Sequence, residues 1–282
     1  MHSSEHQSPL DLTIVVVSYN SGPLIVDYLA GVLRCGDWQS VVVDNGSNAE
    51  TVALLRRELA DDQLLLLSTN QGYGRAANAA FQTIKTRYAL LLNPDISVSP
   101  EQIHHFFRDA LSSVKGAAIW APATSEIQHT GSGPMAVTNV LGAVMLFDMA
   151  QMVDIGLFDD NLFLFYEEQD LCRRVVGAGR GIYLLTDHYF QHAKGTSSGG
   201  SDAVFYLKHW HVGWSSCYYA RKHHLKRGRR LQWLLLRYSL KAQLARSHRK
   251  RLKYRARVAG VWAYLRGQQA FDERGLPRGF RG

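Results

Sequence analysis

The feature that most constrains the fold is a regular alternation of apolar runs and helix-spaced segments in the first 100 residues. The run "LTIVVVS" is rich in β-branched residues and ends in a polar residue, as a buried parallel strand does. The predicted strands are 12–18, 40–47, 64–70 and 88–95, and the predicted helices between them are 22–35, 49–59 and 74–84. Such alternation predicts an α/β fold with a doubly wound, mostly parallel sheet flanked by helices.

Each of these predicted strands runs into a polar cluster: "SYNS", "DNGS", "NQGYGR" and "NPD". In open parallel sheets, ligands bind beyond the carboxyl ends of the strands, so the four clusters favour one shared ligand site. The chain has no G-x-x-x-x-G-K-[ST] loop, and its first strand lacks a G-x-G-x-x-G turn. A nucleotide bound here would be held by side chains rather than by a glycine-rich loop.

After residue 100 the pattern is looser but still alternates. We expect a helix over 100–111, further strand and helix material over 116–122 and 139–150, and an apolar stretch that runs into an acidic helix start over 162–179. A last strand over 180–185, a polar mobile loop over 191–201 and an aromatic helix from residue 203 follow. We expect one α/β domain over residues 1–220 and a basic, helical extension over 221–282.

The charge distribution supports that division. Residues 221–282 hold 19 Lys and Arg against two acids, a charge of +17, whereas the rest holds 13 against 22, a charge of −9. A composition of 46% hydrophobic and 20% charged residues is typical of globular proteins. No apolar run reaches the roughly 18 residues that span a bilayer, and the N-terminus lacks the pattern of a secretory signal. With three scattered cysteines expected to be reduced, the sequence predicts an intracellular protein.

Two strand-end carboxylates are candidate ligand-binding groups. Asp44 in "DNGS" can accept a hydrogen bond from a uracil or thymine ring or from ribose, but the same sequence also suits an Asx-turn. Asp95 in "NPD" can help to hold Mg²⁺ or Mn²⁺ against a diphosphate, since these ions take oxygen ligands. Asn-Pro is equally a turn dipeptide, so a structural role stays open for both positions.

Three acids at a predicted helix start are candidate catalytic groups. Glu167, Glu168 and Asp170 can cap the helix through its dipole, but crowded carboxylates also raise one another's pKa, as a general base requires. His192, in the polar loop, can be a metal or phosphate ligand or merely a solvated side chain.

The basic segment 221–257 interleaves Lys and Arg with Leu, Trp and Tyr. A basic helix with an apolar face is typical of binding to an anionic membrane surface. A helix packed on the protein body by its apolar stripe is the alternative. Nucleic-acid binding has no motif in its favour, and we expect no nucleic-acid partner.

The ordered set of motifs resembles the family-2 glycosyltransferases with a GT-A fold, especially their rhamnosyltransferase-like members. The matching stretches are "VVVSYNS", "VVVDNGS", "NQGYGRAAN", "LLLNPDI", "FLFYEEQDLCRR" and "HAKGTSS", which cover about residues 12–225. The resemblance implies an inverting transfer of a sugar from a nucleotide diphosphate to a hydroxyl of a glycan or lipid-linked glycan, as in cell-envelope polysaccharide synthesis. It implies dTDP-rhamnose as the favoured donor and a UDP-hexose as the alternative, with Mg²⁺ or Mn²⁺ as cofactor.

Residue roles follow from the same resemblance. The implied nucleotide-sugar site comprises Ser18, Tyr19, Asn20, Asp44, Asn70, Gly74, Arg75, Asn93 and Asp95. Asp95, with His192, would bind the metal, and Glu168 would be the base. Asn93 replaces the first acid of the family's D-x-D motif, and Glu168 replaces an Asp, so the base assignment can shift to Glu167 or Asp170. A tail on the inner face of the cytoplasmic membrane would hold the enzyme near a lipid-linked acceptor. A non-catalytic membrane- or nucleic-acid-binding protein with the same fold is the competing interpretation.

Overall fold

The chain folds into two compact units that are each built from several segments. A computed structural model describes residues 10–125, 132–193, 201–225 and 228–279, with backbone only for 228–232. The first unit comprises Met1–Ser68, Ala76–Leu157 and Leu171–Ser198, and the second comprises Thr69–Arg75, Phe158–Asp170 and Gly199–Gly282. The expected domain boundary between residues 220 and 221 stays a prediction.

The first unit is built on an eight-stranded mixed sheet. Its strands are β1 (Leu12–Ser18), β2 (Gln39–Asn45), β3 (Leu64–Leu67), β4 (Tyr88–Leu92), β6 (Ala117–Ala123), β7 (Pro134–Ala136), β8 (Val144–Asp148) and β9 (Gly181–Tyr189), in the order β3-β2-β1-β4-β8-β6-β9-β7. The pairs β2–β3, β1–β2 and β1–β4 are all parallel. The α/β fold with a mostly parallel sheet is therefore confirmed.

The register of the parallel strands fixes where polar loops meet. Ser18 pairs with Asp44, and Val16 pairs with Leu92, so β1, β2 and β4 end at one edge of the sheet. The chain builds outward from β1 to β3 and then returns to β4 on the other side of β1, which makes the β1–β4 boundary a topological switch point.

The helices of the first unit begin where the local sequence caps them. They are α1 (Gly22–Leu33), α2 (Ala49–Glu58), α4 (Pro100–Ser113) and the short α5 (Met149–Met152), while α3 (Tyr73–Phe81) and α6 (Glu167–Gly177) each include residues of both units. Ser99 and Gln102 form a reciprocal capping box, and Pro100 takes the first turn, where its missing N–H is not needed. Asn48 caps α2 by accepting from the Thr51 amide.

The structure differs from the sequence prediction mainly in short and antiparallel strands. Strands β7 and β8 run antiparallel to their neighbours, and β9 extends to Tyr189, beyond the predicted end. Two further strands, β5 (Ile96–Ser97) and β10 (Gln191–His192), pair with each other. The prediction that the mobile loop begins at residue 191 is wrong, since His192 lies in β10; residues 194–200 are outside the described part of the chain.

The second unit is mostly helical. Its long helices are α7 (Asp202–Lys222), α8 (Gly228–Leu244) and α9 (His248–Leu265), which confirms the predicted helical tail. Aromatic and aliphatic side chains of α7 and α9 share a core with Leu162, Phe163 and Phe271. In the described part of the chain no helix combines the length and apolar character that crossing a bilayer requires. All three cysteines are free thiols.

Two glycines let the backbones of α7 and α9 touch. A Cβ on Gly213 would collide with the Arg257 carbonyl, and one on Gly260 would collide with the Trp210 carbonyl. Because both obstacles are backbone atoms, no side-chain rotation can relieve the overlap. The helix pair is therefore held at a separation that only glycine permits at these positions.

Replacing Gly260 by Ala should force α7 and α9 apart and lower the free energy of unfolding by about 3 kcal/mol. The matched control is Gly31→Ala, another helix-interior glycine, where a Cβ meets nothing within 4 Å. That control should gain about 0.5–1 kcal/mol through helix propensity. Chemical denaturation of both variants measures the two effects; equal shifts would contradict the close-approach account.

Candidate functional site

The loop after β1 is tied to the loop after β2 by Asn20. This residue adopts a left-handed backbone with φ 54°, its amide donates to Ser47 Oγ at 2.8 Å, and its side-chain Oδ1 accepts from the Asn48 amide at 2.9 Å. Asn tolerates this conformation better than other non-glycine residues. The buried Ser18 lies 3.3 Å from Ser21 Oγ, which also accepts from the Tyr19 amide. The predicted cluster Ser18, Tyr19 and Asn20 thus forms a rigid rim beside β2.

Asp44 performs the predicted turn role with only one of its two oxygens. Its Oδ2 accepts from the Ser47 amide at 3.0 Å, as in an Asx-turn. Its Oδ1 is buried without a hydrogen-bond partner among the described residues, and the whole residue is 1% exposed. A buried carboxylate oxygen without a donor is costly, so this atom fits a ligand that brings an N–H or O–H group.

Asp95 likewise lies in a turn and is held inward. The Ile96 amide donates to the Asn93 carbonyl at 3.1 Å, which closes the "NPDI" turn, and the Asn93 amide donates to the Ala143 carbonyl. The Asp95 side chain is only 2% exposed. The turn interpretation of "NPD" is therefore confirmed, and the turn presents a buried carboxylate at the end of β4. The role of Asp95 as a metal ligand stays a prediction.

His192 lies directly against that carboxylate. The pairing of β5 with β10 aligns His192 with Ile96, and the Ala193 amide donates to the Asp95 carbonyl. Nε2 of His192 is 3.1 Å from Oδ1 of Asp95. A carboxylate oxygen suits Mg²⁺ or Mn²⁺, whereas an imidazole nitrogen suits transition-metal ions, so of the two predicted cations Mn²⁺ fits this pair better. The residues present fit the cofactor that the sequence predicts.

In the second unit, the "NQGYGR" loop packs on the segment that precedes α6. Asn70 accepts from the Gly72 amide at 2.9 Å, and the Tyr73 amide donates to the Phe163 carbonyl. Gly74 leaves no room for a side chain, because a Cβ there would lie 2.9 Å from Phe158 and 3.7 Å from Glu167.

Arg75 of the same loop is held by contacts within the second unit. Its Nε donates to the Asp160 carbonyl at 2.6 Å, and its guanidinium lies 3.7 Å from the centre of the Phe271 ring. This cation–π contact fixes the position of the charge. The role that the resemblance implies for Arg75, along the diphosphate, stays a prediction.

The acidic helix start is built on a strained backbone. Phe165 and Tyr166, immediately before α6, have φ angles of 67° and 74°, a region that costs bulky residues of order 1–3 kcal/mol each. The Tyr166 ring packs on Tyr219, with centroids 5.2 Å apart. Consecutive left-handed residues turn the chain sharply into the helix, and Glu167 and Glu168 follow directly.

Two of the acids are poised to hold protons. Glu167 is 5% exposed, and its Oε2 has no hydrogen-bond partner within the described segments. Burial, together with the neighbouring charge of Glu168, raises the pKa of Glu167. Burial also raises the pKa of Glu168 above its ordinary value. One proton shared over this pair leaves a single carboxylate charge to act as a base near neutral pH.

Asp170 is instead part of a buried ionic network. It accepts from Lys222 at 2.7 Å and from His223 at 2.8 Å, and it has no solvent exposure. Lys222 also donates to Asp159 at 2.6 Å. Although burial raises the pKa of Asp159, hydrogen bonds from Lys222 and Asn161 lower it to about 2. This geometry suits a residue that positions the helix start rather than one that exchanges a proton.

The structure thus gathers the predicted residues into two sets. The first unit brings Ser18, Tyr19, Asn20, Asp44, Asn93, Asp95 and His192 to the carboxyl edge of its parallel strands. The second unit holds Asn70, Gly74, Arg75, Glu167, Glu168 and Asp170. Sequence reasoning missed the partners of Asp170, namely Lys222 and His223, because it assigned them to the basic tail.

Comparison with known proteins agrees with this architecture. Residues 13–125 match the family model described as Glycosyl transferase family 2. The low-salt glycan biosynthesis hexosyltransferase Agl10 of Haloferax volcanii is 23% identical over 58% of this chain and 61% of its own length. A poly-beta-1,6-N-acetyl-D-glucosamine synthase of Staphylococcus epidermidis is 19% identical over 56% of this chain and 44% of its own length. The alignments therefore span less than two thirds of either relative.

Solved structures resemble nearly the whole chain. The mannosyltransferase PcManGT of Pyrobaculum calidifontis, in complex with GDP-Man and Mn²⁺, has a TM-score of 0.58 at 14% identity, over 92% of this chain and 88% of that one. The 1–349 fragment of S. aureus TarS has a TM-score of 0.53 at 16% identity, over 91% of this chain and 92% of that one. The chain therefore has the GT-A glycosyltransferase fold, and its residues 13–125 are similar to glycosyl transferase family 2.

Proposed function

We propose that the protein is an inverting, metal-assisted glycosyltransferase. It moves a sugar from a nucleotide diphosphate to a hydroxyl of a glycan or lipid-linked glycan. The observation that carries this proposal is the pair formed by the buried Asp95 and the partly buried His192, whose oxygen and nitrogen lie 3.1 Å apart just beyond β4. The family match over residues 13–125 supports the same chemistry.

The donor is a pyrimidine sugar nucleotide. The buried Oδ1 of Asp44 accepts the imide N–H of uracil or thymine, which satisfies an atom that otherwise lacks a donor. Two strand spacings, about 10 Å, separate β2 from β4, a span that suits a base at Asp44 and a diphosphate near Asp95. The favoured donor is dTDP-rhamnose, on the motif resemblance. A UDP-hexose is the alternative, since TarS has been solved with UDP-GlcNAc.

Asp95 and His192 hold Mg²⁺ or Mn²⁺. The related fold of PcManGT carries Mn²⁺ with its sugar nucleotide, which supports a metal in this chain as well. When bound, such a cation neutralises the negative charge that develops on the departing diphosphate. Asn93 contributes through its turn, because its backbone amide and carbonyl fix Asp95 in place.

Glu168 is the general base. It is less buried than Glu167, so an acceptor hydroxyl can reach it, while the raised pKa of Glu167 keeps the shared proton on the more buried residue. Glu168 takes the proton from the acceptor hydroxyl, whose oxygen attacks the anomeric carbon from the face opposite the nucleotide, so the configuration inverts. Asp170 keeps the helix start in position through Lys222.

The protein docks on an anionic membrane through α8. The exposed apolar residues of this helix lie on one face at helical spacing: Trp233, Leu236, Leu240 and Leu244, with exposures of 59, 58, 47 and 79%. Arg237 and Lys241 flank that face. An apolar stripe bordered by cations matches an anionic leaflet, and it would keep the enzyme on the inner face of the cytoplasmic membrane beside a lipid-linked acceptor.

Glu168→Gln should lower the turnover number by about 100-fold or more while sugar-nucleotide affinity stays unchanged, because only proton abstraction is lost. In the wild type, kcat should rise with pH through a value above the ordinary glutamate pKa, since the base works only when deprotonated. Glu50→Gln, an exposed acid in the first turn of α2, is the control. Full activity in Glu168→Gln would refute this assignment.

Asp95→Asn and His192→Ala should each abolish the Mn²⁺-dependent part of donor binding. Calorimetry with dTDP-rhamnose and UDP-glucose, with Mn²⁺ and with EDTA, measures it. Asp109→Asn is the matched control, because Asp109 forms a similar pair with His188 at 3.0 Å elsewhere in the first unit. If the Asp95 variant still responds to Mn²⁺ like the wild type, the metal site lies elsewhere.

Replacing Trp233 and Leu240 together by Ser should reduce binding to phosphatidylglycerol-containing vesicles by about tenfold or more, because two apolar side chains that would insert into the membrane are lost. Co-sedimentation measures the bound fraction. Val153→Ser, at a residue that is 78% exposed in the first unit, should bind like the wild type. If the variant of Trp233 and Leu240 binds vesicles as well as the wild type does, α8 is not the membrane-docking helix.

A further inference from the structure

A cavity of about 360 Å³ lies within the second unit, beside the ionic network of Asp170. Its walls come from the second half of α7, the end of α9 and the segment that follows it, with one residue from the turn before α6. The lining residues include Asn161, Trp214, Tyr218, Arg221, Lys222, Tyr264 and Gln269. The volume lies within the range of pockets that bind small molecules.

The walls combine flat aromatic surface with amide groups. Trp214 and Tyr218 stack at 5.2 Å with an interplanar angle of 13°, and Tyr264 meets Trp214 edge-on. The indole nitrogen of Trp214 donates to the Gln268 carbonyl at 2.7 Å, which fixes the ring. Aromatic faces pack on the C–H faces of sugar rings, and the side-chain amides of Asn161 and Gln269 can serve sugar hydroxyls.

Two polar side-chain groups at this cavity lack partners among the described residues. The Tyr264 hydroxyl is buried with no hydrogen bond to any described residue. The Arg221 guanidinium makes no ion pair or hydrogen bond in the described part of the chain either, whereas the side chain of its neighbour Lys222 is bound to Asp159 and Asp170. An uncommitted guanidinium at a cavity rim favours an anionic group, because it can bind phosphate or carboxylate with two parallel hydrogen bonds.

One residue that lines the cavity bonds to the acidic start of α6. Lys222 lines the cavity and donates to Asp170 Oδ2 at 2.9 Å, and Asp170 lies in the same first turn of α6 as Glu168. A sugar held in the cavity is therefore connected, through one ion pair, to the helix turn that carries the proposed base.

We propose that this cavity binds an anionic sugar unit of the acceptor, one that bears a phosphate or a carboxylate. The ring packs against the aromatic wall, the Tyr264 hydroxyl and Gln269 amide contact its hydroxyls, and Arg221 pairs with the anion. This inference rests on the proposed transferase function, because it assigns the acceptor rather than the donor.

The test is saturation-transfer NMR on the full chain with three probes: glucose 1-phosphate, glucuronic acid and the neutral methyl glucoside. We expect binding of at least one anionic probe and about tenfold weaker binding of methyl glucoside. Preference for the phosphate or for the carboxylate identifies the kind of acceptor. Equal binding of all three probes, or no binding of any, would overturn the inference.

Matched variants separate this site from surface charge. Arg221→Gln should weaken binding of the anionic probe about tenfold. Arg56→Gln, which removes an exposed arginine of α2 without a partner among the described residues, should not. Gln269→Ala is a second variant and should weaken the binding of all three probes alike. Equal losses in Arg221→Gln and Arg56→Gln would mean that only net charge matters, which contradicts a built site.

Calorimetry of the wild type with sugar nucleotides and Mn²⁺ keeps the two proposals apart. Donor binding with no anionic-sugar binding would refute the acceptor cavity and leave the transferase proposal standing. Anionic-sugar binding that depends on Arg221, with no sugar-nucleotide binding at all, would refute the transferase proposal instead.

Discussion

The parallel pairing of β1 with β2 on one side and β4 on the other is the constraint on which the first unit depends. It places Ser18 beside Asp44 and puts the "NPD" turn at the same edge. A slip of one residue would reverse the faces of these buried strands, so packing of their Val, Ile and Leu side chains fixes the position of the polar loops. The pairing register of β1 with β2 and β4 therefore determines both the packing of the core and the position of the ligand site.

The pairing of β5 with β10 adds His192 to the residues at the carboxyl edge of the parallel strands. The two-residue ladder between β5 and β10 is short, yet it aligns His192 with Ile96 and brings an imidazole to Asp95 from nearly a hundred residues away. In the second unit a partly buried cation has the comparable role. Lys222 joins Asp159 and Asp170, so the strained turn into α6 is held by charge as well as by packing.

Much of this arrangement could be predicted from local sequence. The strands β1, β2 and β4 were predictable because their apolar runs end in turn residues, and Asp44 and Asp95 followed from their positions after those runs. The β5–β10 pair, the left-handed Phe165 and Tyr166, and the link from Lys222 to Asp170 were not predictable, since each depends on contacts between distant segments. The basic tail illustrates the difference: its helices followed from composition, but the role of Lys222 required the tertiary structure.

The most direct test of the central claim is a crystal structure of the chain with Mn²⁺ and dTDP or UDP, in which the metal is located by anomalous scattering. We predict one strong peak within coordination distance of the Asp95 carboxylate and His192 Nε2, with the pyrimidine base hydrogen-bonded to Asp44 Oδ1. A metal bound away from Asp95, or a base that makes no contact with Asp44, would contradict the claim.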